Sequence, residues 1–264
     1  MGKFDGILLA SDWDGTLFYN GDVSPENKRA IEYFIENGGY FTICSGRYFN
    51  FLKSHSDKIK SNTYSICLNG AYIANIESGE VLYEKACDER LFEYISLLFP
   101  KAEEYDKIML YPADSAQSLT YTKEEYVKSL VEIKKHKYYK AVLYAKSDKD
   151  GDIGSNRSKK YTLNDYCAVR SFRSSLEILM LENTKGFAIK RLAEHLGAKL
   201  TVAVGDYEND ISMLATADVG YAVKNAIDEV KAVADKITSH CSDSALSNVI
   251  NDIEFNILPK IKYH

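Results

Sequence analysis

Three short, unbroken apolar runs open the chain: FDGILLAS at 4–11, YFTIC at 40–44 and YSICL at 64–68. Each has the length of a strand buried on both faces. Between the first two lies SPENKRAIEYFIENGG, in which Ser24 can cap a helix, Pro25 suits its first turn and Gly38-Gly39 stops it. The pattern predicts a strand, a helix and a second strand. It returns towards the other end with EILML at 177–181, a helix over 184–196 ending at Gly197, the strand KLTVAV at 199–204, a helix after Asp206, and ADVGYAV. The two ends read as halves of one parallel sheet.

The middle has another texture. Asn69-Gly70 and ESGEV read as turns, DERLFEYISLLF is amphipathic, and apolar runs recur around 108–111, 116–121, 139–145 and 166–172. This is an α+β insertion in an α/β frame. Residues 123–160 hold eleven Lys or Arg against six Asp or Glu. Such a segment reads as a solvated face with a mobile loop at SDKDGDIGSNRSKK, or as a positive lip over an anionic substrate. No repeat of 20–50 residues is visible.

With 264 residues, 45% apolar and 27% charged, the chain suits a folded protein of one or two domains. A formal charge of -5 gives no general attraction to nucleic acid or to an anionic membrane. No stretch reaches the roughly 18 apolar residues of a membrane helix, and MGKFDGILLASDWDG meets two aspartates before a signal-peptide core develops. An intracellular, cytoplasmic protein is expected. The five cysteines (Cys44, Cys67, Cys87, Cys167, Cys241) form no C-x-x-C pair and read as buried thiols, and a nucleophilic Cys44 lacks an assignable base. His55, His136, His195, His240 and His264 fall in no motif.

Chemistry gathers where the apolar strands end. Asp12 and Asp14, in SDWDGTL, place two carboxylates at i and i+2, on one side of the strand if it runs through Asp14. If it ends sooner, the turn at Gly15 still lets backbone approach a ligand. Carboxylates this close repel unless one is protonated or a cation sits between them, and a divalent metal can hold one ionised and nucleophilic while the other titrates as acid and base. Trp13 should point away and pack into the sheet. Gly205-Asp206-Tyr207-Glu208-Asn209-Asp210 follows another apolar run, so this acidic loop and the first can share the crevice at the carboxyl ends of a parallel sheet. Asp206 is a candidate ligand, Asn209 and Asp210 candidate supports, and an all-oxygen set favours Mg²⁺. Ser45-Gly46-Arg47 offers a hydroxyl and backbone N–H groups to an anion. Lys185 opens a helix, where it opposes the dipole and so lacks the ordinary surface rationale. No P-loop, G-x-G-x-x-G, H-E-x-x-H or G-x-S-x-G motif occurs.

In order, DWDGT, SGR, a Lys before Gly at a helix start, and GDYEND resemble the four signature motifs of the haloacid dehalogenase-like superfamily. NG at 69–70, the position of the insert, and NDISML followed by KNA at 224–226 are similar to its Cof-type, subclass IIB phosphatases. The resemblance implies a Rossmann-like parallel-sheet core formed by 1–81 and 181–264, with an inserted α/β cap domain at 82–180 that governs substrate specificity. It implies that Asp12 attacks phosphorus to form an aspartyl-phosphate, and that Asp14 protonates the leaving alcohol and later activates water. Mg²⁺ would be held by the Asp12 carboxylate, the Asp14 main-chain carbonyl and Asp206, with waters. Ser45, Gly46 and Lys185 would hold phosphoryl oxygens, Asn209 and Asp210 would support metal and lysine, and Gly15 and Thr16 complete the phosphate loop. Arg47 and Asn225 match positions near the substrate. Trp13 stands where the family often has a smaller aliphatic residue, and Ser45 where Thr is frequent.

The expected activity is a Mg²⁺-dependent phosphatase of small phosphate esters, sugar phosphates before phosphorylated cofactors. A phosphomannomutase-like phosphoryl transferase shares the D-x-D-G-T pattern. A catalytically silent metabolite-binding protein is the alternative outside enzymes. Nucleic acid and membrane partners are not expected, and oligomeric state is not legible.

Overall fold

The computed structural model describes residues 2–161 and 165–261, so His264 lies outside the described residues. The chain forms two compact units, Met1–Leu82 with Lys185–His264, and Tyr83–Thr184. In chain order the elements are β1 (Ile7–Ser11), α1 (Pro25–Glu36), β2 (Tyr40–Ile43), α2 (Phe49–Ser54), β3 (Tyr64–Cys67), β4 (Tyr72–Asn75) and β5 (Val81–Glu84). There follow α3 (Arg90–Leu98), β6 (Tyr105–Pro112), β7 (Leu119–Thr122), α4 (Lys123–Ile133), β8 (Tyr138–Ala145), α5 (Asp148–Ser158), β9 (Tyr166–Val169) and β10 (Ser175–Met180). The last are α6 (Lys185–Leu196), β11 (Leu200–Gly205), α7 (Ile211–Thr216), β12 (Val219–Ala222), α8 (Asp228–Val233), β13 (Lys236–Ile237), α9 (Ala245–Asp252) and α10 (Leu258–Ile261).

The first unit is built on a sheet ordered β13-β12-β11-β1-β2 with every neighbouring pair parallel. All five residues of β1 are buried, which is why its run carries no polar alternation. Leu8, Leu9, Phe41, Val202 and Val204 are the sheet's contribution to the core, each worth about 1.5–3 kcal/mol on burial. The local signals of α1 act as expected: Ser24 Oγ accepts the Asn27 N–H at 3.2 Å, Pro25 stands in the first turn, and Ile31 and Phe34 face inward. Because β1 lies between β2 and β11, the chain leaves it in both directions, which makes its carboxyl end a topological switch point.

The second unit is an antiparallel sheet ordered β7-β6-β8-β10-β9. Leu91, Ile95 and Leu98 of α3 and Tyr126 and Ile133 of α4 pack with Ile108, Leu110, Leu143, Leu176 and Ile178 of the sheet. The segment SDKDGDIGSNRSKK, expected as a loop, instead forms α5. Ser147 caps it by accepting the Asp150 N–H at 3.2 Å, and Asp148 and Asp150 suit its first turn. Its glycines allow the approach: a Cβ would stand 2.1 Å from the Arg173 carbonyl oxygen at Gly151 and 2.2 Å from the Tyr105 hydroxyl at Gly154. Part of the basic charge of 123–160 is paired. Lys128 pairs with Glu124, Lys135 with Glu132 and Arg157 with Glu104, while Lys140 is buried against Glu177 at 2.5 Å.

Candidate active site

Parallel pairing of β1 with β11 sets Ser11 beside Val204, and the Asp12 N–H donates to the Val204 carbonyl at 2.9 Å. The loops leaving these strands therefore emerge side by side. β1 ends at Ser11, so of the two arrangements open from sequence Asp12 and Asp14 take the one in which they do not share a strand face and the chain turns at Gly15. The carboxylate of Asp12 enters the interior, at 6% exposure, and that of Asp14 lies at the surface. Trp13, between them, is fully buried and stacks on Phe18 at 4.8 Å.

Lys185, the first residue of α6, is wholly buried, and its Nζ lies 2.6 Å from Asp12 Oδ1 and 2.6 Å from Asp210 Oδ1. These two carboxylates explain a lysine that opposes its own helix dipole. Asp210 is immobilised from its other oxygen, which accepts the N–H groups of Asp206 at 2.9 Å and Tyr207 at 3.1 Å. Asp206 Oδ1 accepts the Thr16 hydroxyl at 3.2 Å, so the two loops are joined through side chains as well as strands. Ligand oxygens of Asp12, Asp206 and Asp210 all lie within 4.8 Å of one another.

The crowding shows in the proton affinities. Burial raises the Asp12 carboxyl well above its ordinary value, Asp210 and Asp206 add to the rise, and Lys185 opposes it. Asp206 is pushed up to about 7 by burial and by Asp210. Burial works to lower the Lys185 ammonium, but Asp12 and Asp210 outweigh it and hold it well above 10.5. Burial also pushes the Cys44 thiol upward, which removes the nucleophilic thiolate considered from sequence.

Gly15 makes the turn between the two loops. Its φ is +79°, and a Cβ would sit 2.6 Å from Asp206 Oδ2. Gly15→Ala is expected to destabilise the protein by about 1–2 kcal/mol from backbone strain alone, read as a lower midpoint in urea unfolding; an unchanged midpoint would contradict the close approach.

The second anion-binding candidate lies beyond β2. Ser45 is buried, its Oγ accepts the Arg47 N–H at 3.1 Å, and its hydroxyl proton remains to be donated. Gly46 beside it is partly exposed. Arg47 and Asn225, expected near the substrate, and Asn209, expected to support metal and lysine, each have partners within the protein. Arg47 grips Asp14 with two hydrogen bonds of 2.9 and 3.0 Å. Asn209 is buried with its Nδ2 on Asn69 Oδ1 at 3.2 Å. Asn225 donates to the Gly15 carbonyl at 2.8 Å and accepts the Cys241 N–H at 2.9 Å, so both ends of its amide brace backbone. Asn69 carries more than its turn signal indicated: at φ +61° it joins the Ser45 loop, through its N–H to the Ser45 carbonyl at 3.0 Å, to Asn209.

A model of the haloacid dehalogenase-like hydrolase family matches residues 9–250. The chain belongs to this family. Among relatives of this hydrolase, the phosphatase YwpJ of Bacillus subtilis (strain 168) is 27% identical over 267 residues, covering 88% of this chain and 94% of its own. The 5-amino-6-(5-phospho-D-ribitylamino)uracil phosphatase YcsE of the same organism is 25% identical over 251 residues, covering 92% and 94%. The solved structure of the subclass IIB sugar phosphatase BT4131 superposes with a TM-score of 0.72 at 21% identity, covering 93% of this chain and 98% of that one, a likeness of fold. No helix among the described residues is long and apolar enough to cross a membrane.

Proposed function

We propose that this hydrolase is a Mg²⁺-dependent phosphatase of small phosphorylated metabolites, sugar phosphates first, acting through an aspartyl-phosphate on Asp12. The observation that carries the proposal is the buried set of three carboxylates, Asp12, Asp206 and Asp210, around the one ammonium of Lys185, at the switch point of the sheet. The donor set fits a divalent cation. Ligand oxygens of Asp12, Asp206 and Asp210 lie within 4.8 Å of one another, all of them are carboxylate oxygens, and Lys185 alone does not balance three carboxylates. Asp12, Asp206 and the Asp14 main-chain carbonyl would hold the ion, while Asp210, bound to Lys185 and to two backbone N–H groups, holds the lysine and the loop. When bound, Mg²⁺ supplies positive charge to the phosphoryl oxygens and keeps Asp12 ionised.

Asp12 attacks phosphorus as the bond to the leaving oxygen breaks, and that oxygen takes a proton from Asp14. Water then attacks the phosphorus, Asp14 takes its proton, and the electron pair of the breaking P–O bond returns to Asp12. Lys185 has three N–H donors, two of them on carboxylates, so the third can meet a phosphoryl oxygen together with the Ser45 hydroxyl and the Gly46 N–H. The similarity to the sugar phosphatase BT4131 and to YcsE, a phosphatase of a phosphorylated ribityl compound, supports a polyhydroxylated leaving group.

The test is phosphate release from a panel of sugar phosphates, nucleotides and phosphorylated cofactors, with Mg²⁺ and with EDTA. Release concentrated on sugar phosphates and lost in EDTA is expected. Silence across the panel overturns the proposal, and transfer between positions of a hexose phosphate faster than release makes the protein a mutase.

Metal binding should also depend on pH. The Asp206 carboxyl, at about 7 in the metal-free protein, must lose its proton to become a ligand. Below that value binding releases a proton and weakens; above it the dependence flattens. Calorimetry should find Mg²⁺ binding about tenfold weaker at pH 6 than at pH 8, with proton release larger at pH 6. Equal affinity and no proton release would contradict Asp206 as ligand.

A further inference from the structure

Asp14 stands apart from the buried carboxylates. Its side chain is 48% exposed, against 9% for Asp12 and none for Asp210. An aspartate so exposed ordinarily samples several rotamers, whereas a proton-transfer group must be held in one. Arg47 supplies the restraint: Nε lies 2.9 Å from Oδ2 and Nη2 lies 3.0 Å from Oδ1, a two-pronged grip on both oxygens.

The arginine is itself fixed. Its N–H donates to Ser45 Oγ at 3.1 Å, its carbonyl accepts the Leu68 N–H at 3.0 Å, and its guanidinium lies over the Phe51 ring, 4.7 Å from the centroid. Phe51 stacks on His55 at 4.3 Å, and His55 stands edge-on to Trp13 at 6.0 Å and to Phe18 at 5.9 Å. Trp13 is the residue between the two aspartates. The support of Arg47 therefore returns to the loop whose carboxylate it grips.

We infer that Arg47 is the positioning residue of Asp14, holding its carboxylate ready for the water step instead of binding the substrate. This rests on the proposed acid/base role of Asp14. Each oxygen of Asp14 gives one lone pair to the arginine and keeps another to accept a proton. In the second step water attacks phosphorus, its proton passes to one of those lone pairs, and the bond to Asp12 breaks with the electron pair returning to Asp12. The grip thus fixes the proton acceptor without consuming it.

The experiment uses Arg47→Met, which keeps an apolar stem over Phe51 and removes the fork, with Arg47→Lys and Asp14→Asn in parallel. The probe is p-nitrophenyl phosphate, whose phenolate departs without protonation, so enzyme phosphorylation proceeds without Asp14 as acid. Pre-steady-state p-nitrophenol release is followed, and acid-quenched phosphoprotein is measured. For Arg47→Met the expected result is a burst approaching about one equivalent and phosphoprotein above the wild-type level. Steady-state kcat falls about 10–100-fold, while kcat/KM, which reports steps up to phosphorylation, is unchanged. Arg47→Lys, keeping the charge and one donor, recovers part of kcat. A fall in kcat/KM with no phosphoprotein accumulation makes Arg47 a substrate-binding group and overturns the inference, as does wild-type turnover in Arg47→Met. If Asp14→Asn also turns over like wild type, the acid/base reading itself fails; if Asp14→Asn stalls as phosphoprotein and Arg47→Met does not, only the inference about Arg47 fails.

Discussion

Asp12→Asn should reduce phosphate release by at least about 10³-fold while leaving the metal-free protein no less stable. The activity loss follows from chemistry: an amide oxygen is no nucleophile toward phosphorus, and without the covalent step only binding and local positive charge remain. The stability expectation has a separate cause. The Asp12 carboxyl is buried beside Asp210 and Asp206, and burial first, then these two carboxylates, raises its folded proton affinity well above that of an ordinary aspartate. A carboxyl raised on folding weakens the folded state as pH climbs past its unfolded value, because ionising it costs more inside than outside. The amide removes that charge and still offers an oxygen to Lys185. Phosphate release and thermal melting at pH 7.5, measured with and without Mg²⁺, check both halves. Retained turnover would sink the covalent route; lost turnover with a collapsed melting transition would mean that Asp12 serves the fold more than the chemistry.

Lys185→Met should be costly in both respects. The ammonium is fully buried with a carboxylate oxygen 2.6 Å away on each of two sides. Removing one partner from a buried ion cluster leaves uncompensated charge, with a penalty of about 3–5 kcal/mol. Burial acts to lower the lysine's proton affinity, but Asp12 and Asp210 hold it well above 10.5 in the folded protein. Its contribution is therefore fully present throughout the neutral range and is lost only as pH rises through the folded value. In the variant, the penalty should shrink towards acid as Asp12 takes up a proton. Added Mg²⁺ should restore part of the stability by replacing the missing positive charge, while activity stays about 10²–10³-fold down for lack of the donor beside Asp12. Urea unfolding at pH 5.5 and 7.5, with and without Mg²⁺, tests this; a variant as stable as wild type at pH 7.5 would show that the carboxylates do not depend on Lys185.

Sequence logic reached furthest where its signals act over a few residues. The apolar run of β1, the Ser24 cap and Pro25 of α1, and the switch from TVAV to an acidic loop each specify local structure at a range of four or five residues. Chemistry that depends on residue type at a strand end was legible for the same reason. Asp12, Asp206 and Asp210 stand together because β1 and β11 before them are adjacent and parallel, whereas Lys185 is brought to them by α6, which packs on α7. α5 was not legible. SDKDGDIGSNRS has no apolar stripe, and its helix is settled by the contact of Gly151 and Gly154 with Arg173 and Tyr105, residues from distant strands and turns.

The chain's local pattern determined most of its elements and which residue types stand at the carboxyl edge of the parallel sheet, but not α5 or the antiparallel setting of β10. Tertiary structure alone decided who holds whom: Arg47 takes Asp14, Asn209 takes Asn69 across 140 positions, and Asn225 braces Gly15 across 210. The physical reason is range. Hydrophobic period and capping act within a turn or two, whereas these polar partnerships form only when strand order β2-β1-β11 brings separate loops to one edge and burial makes an unpaired polar group costly.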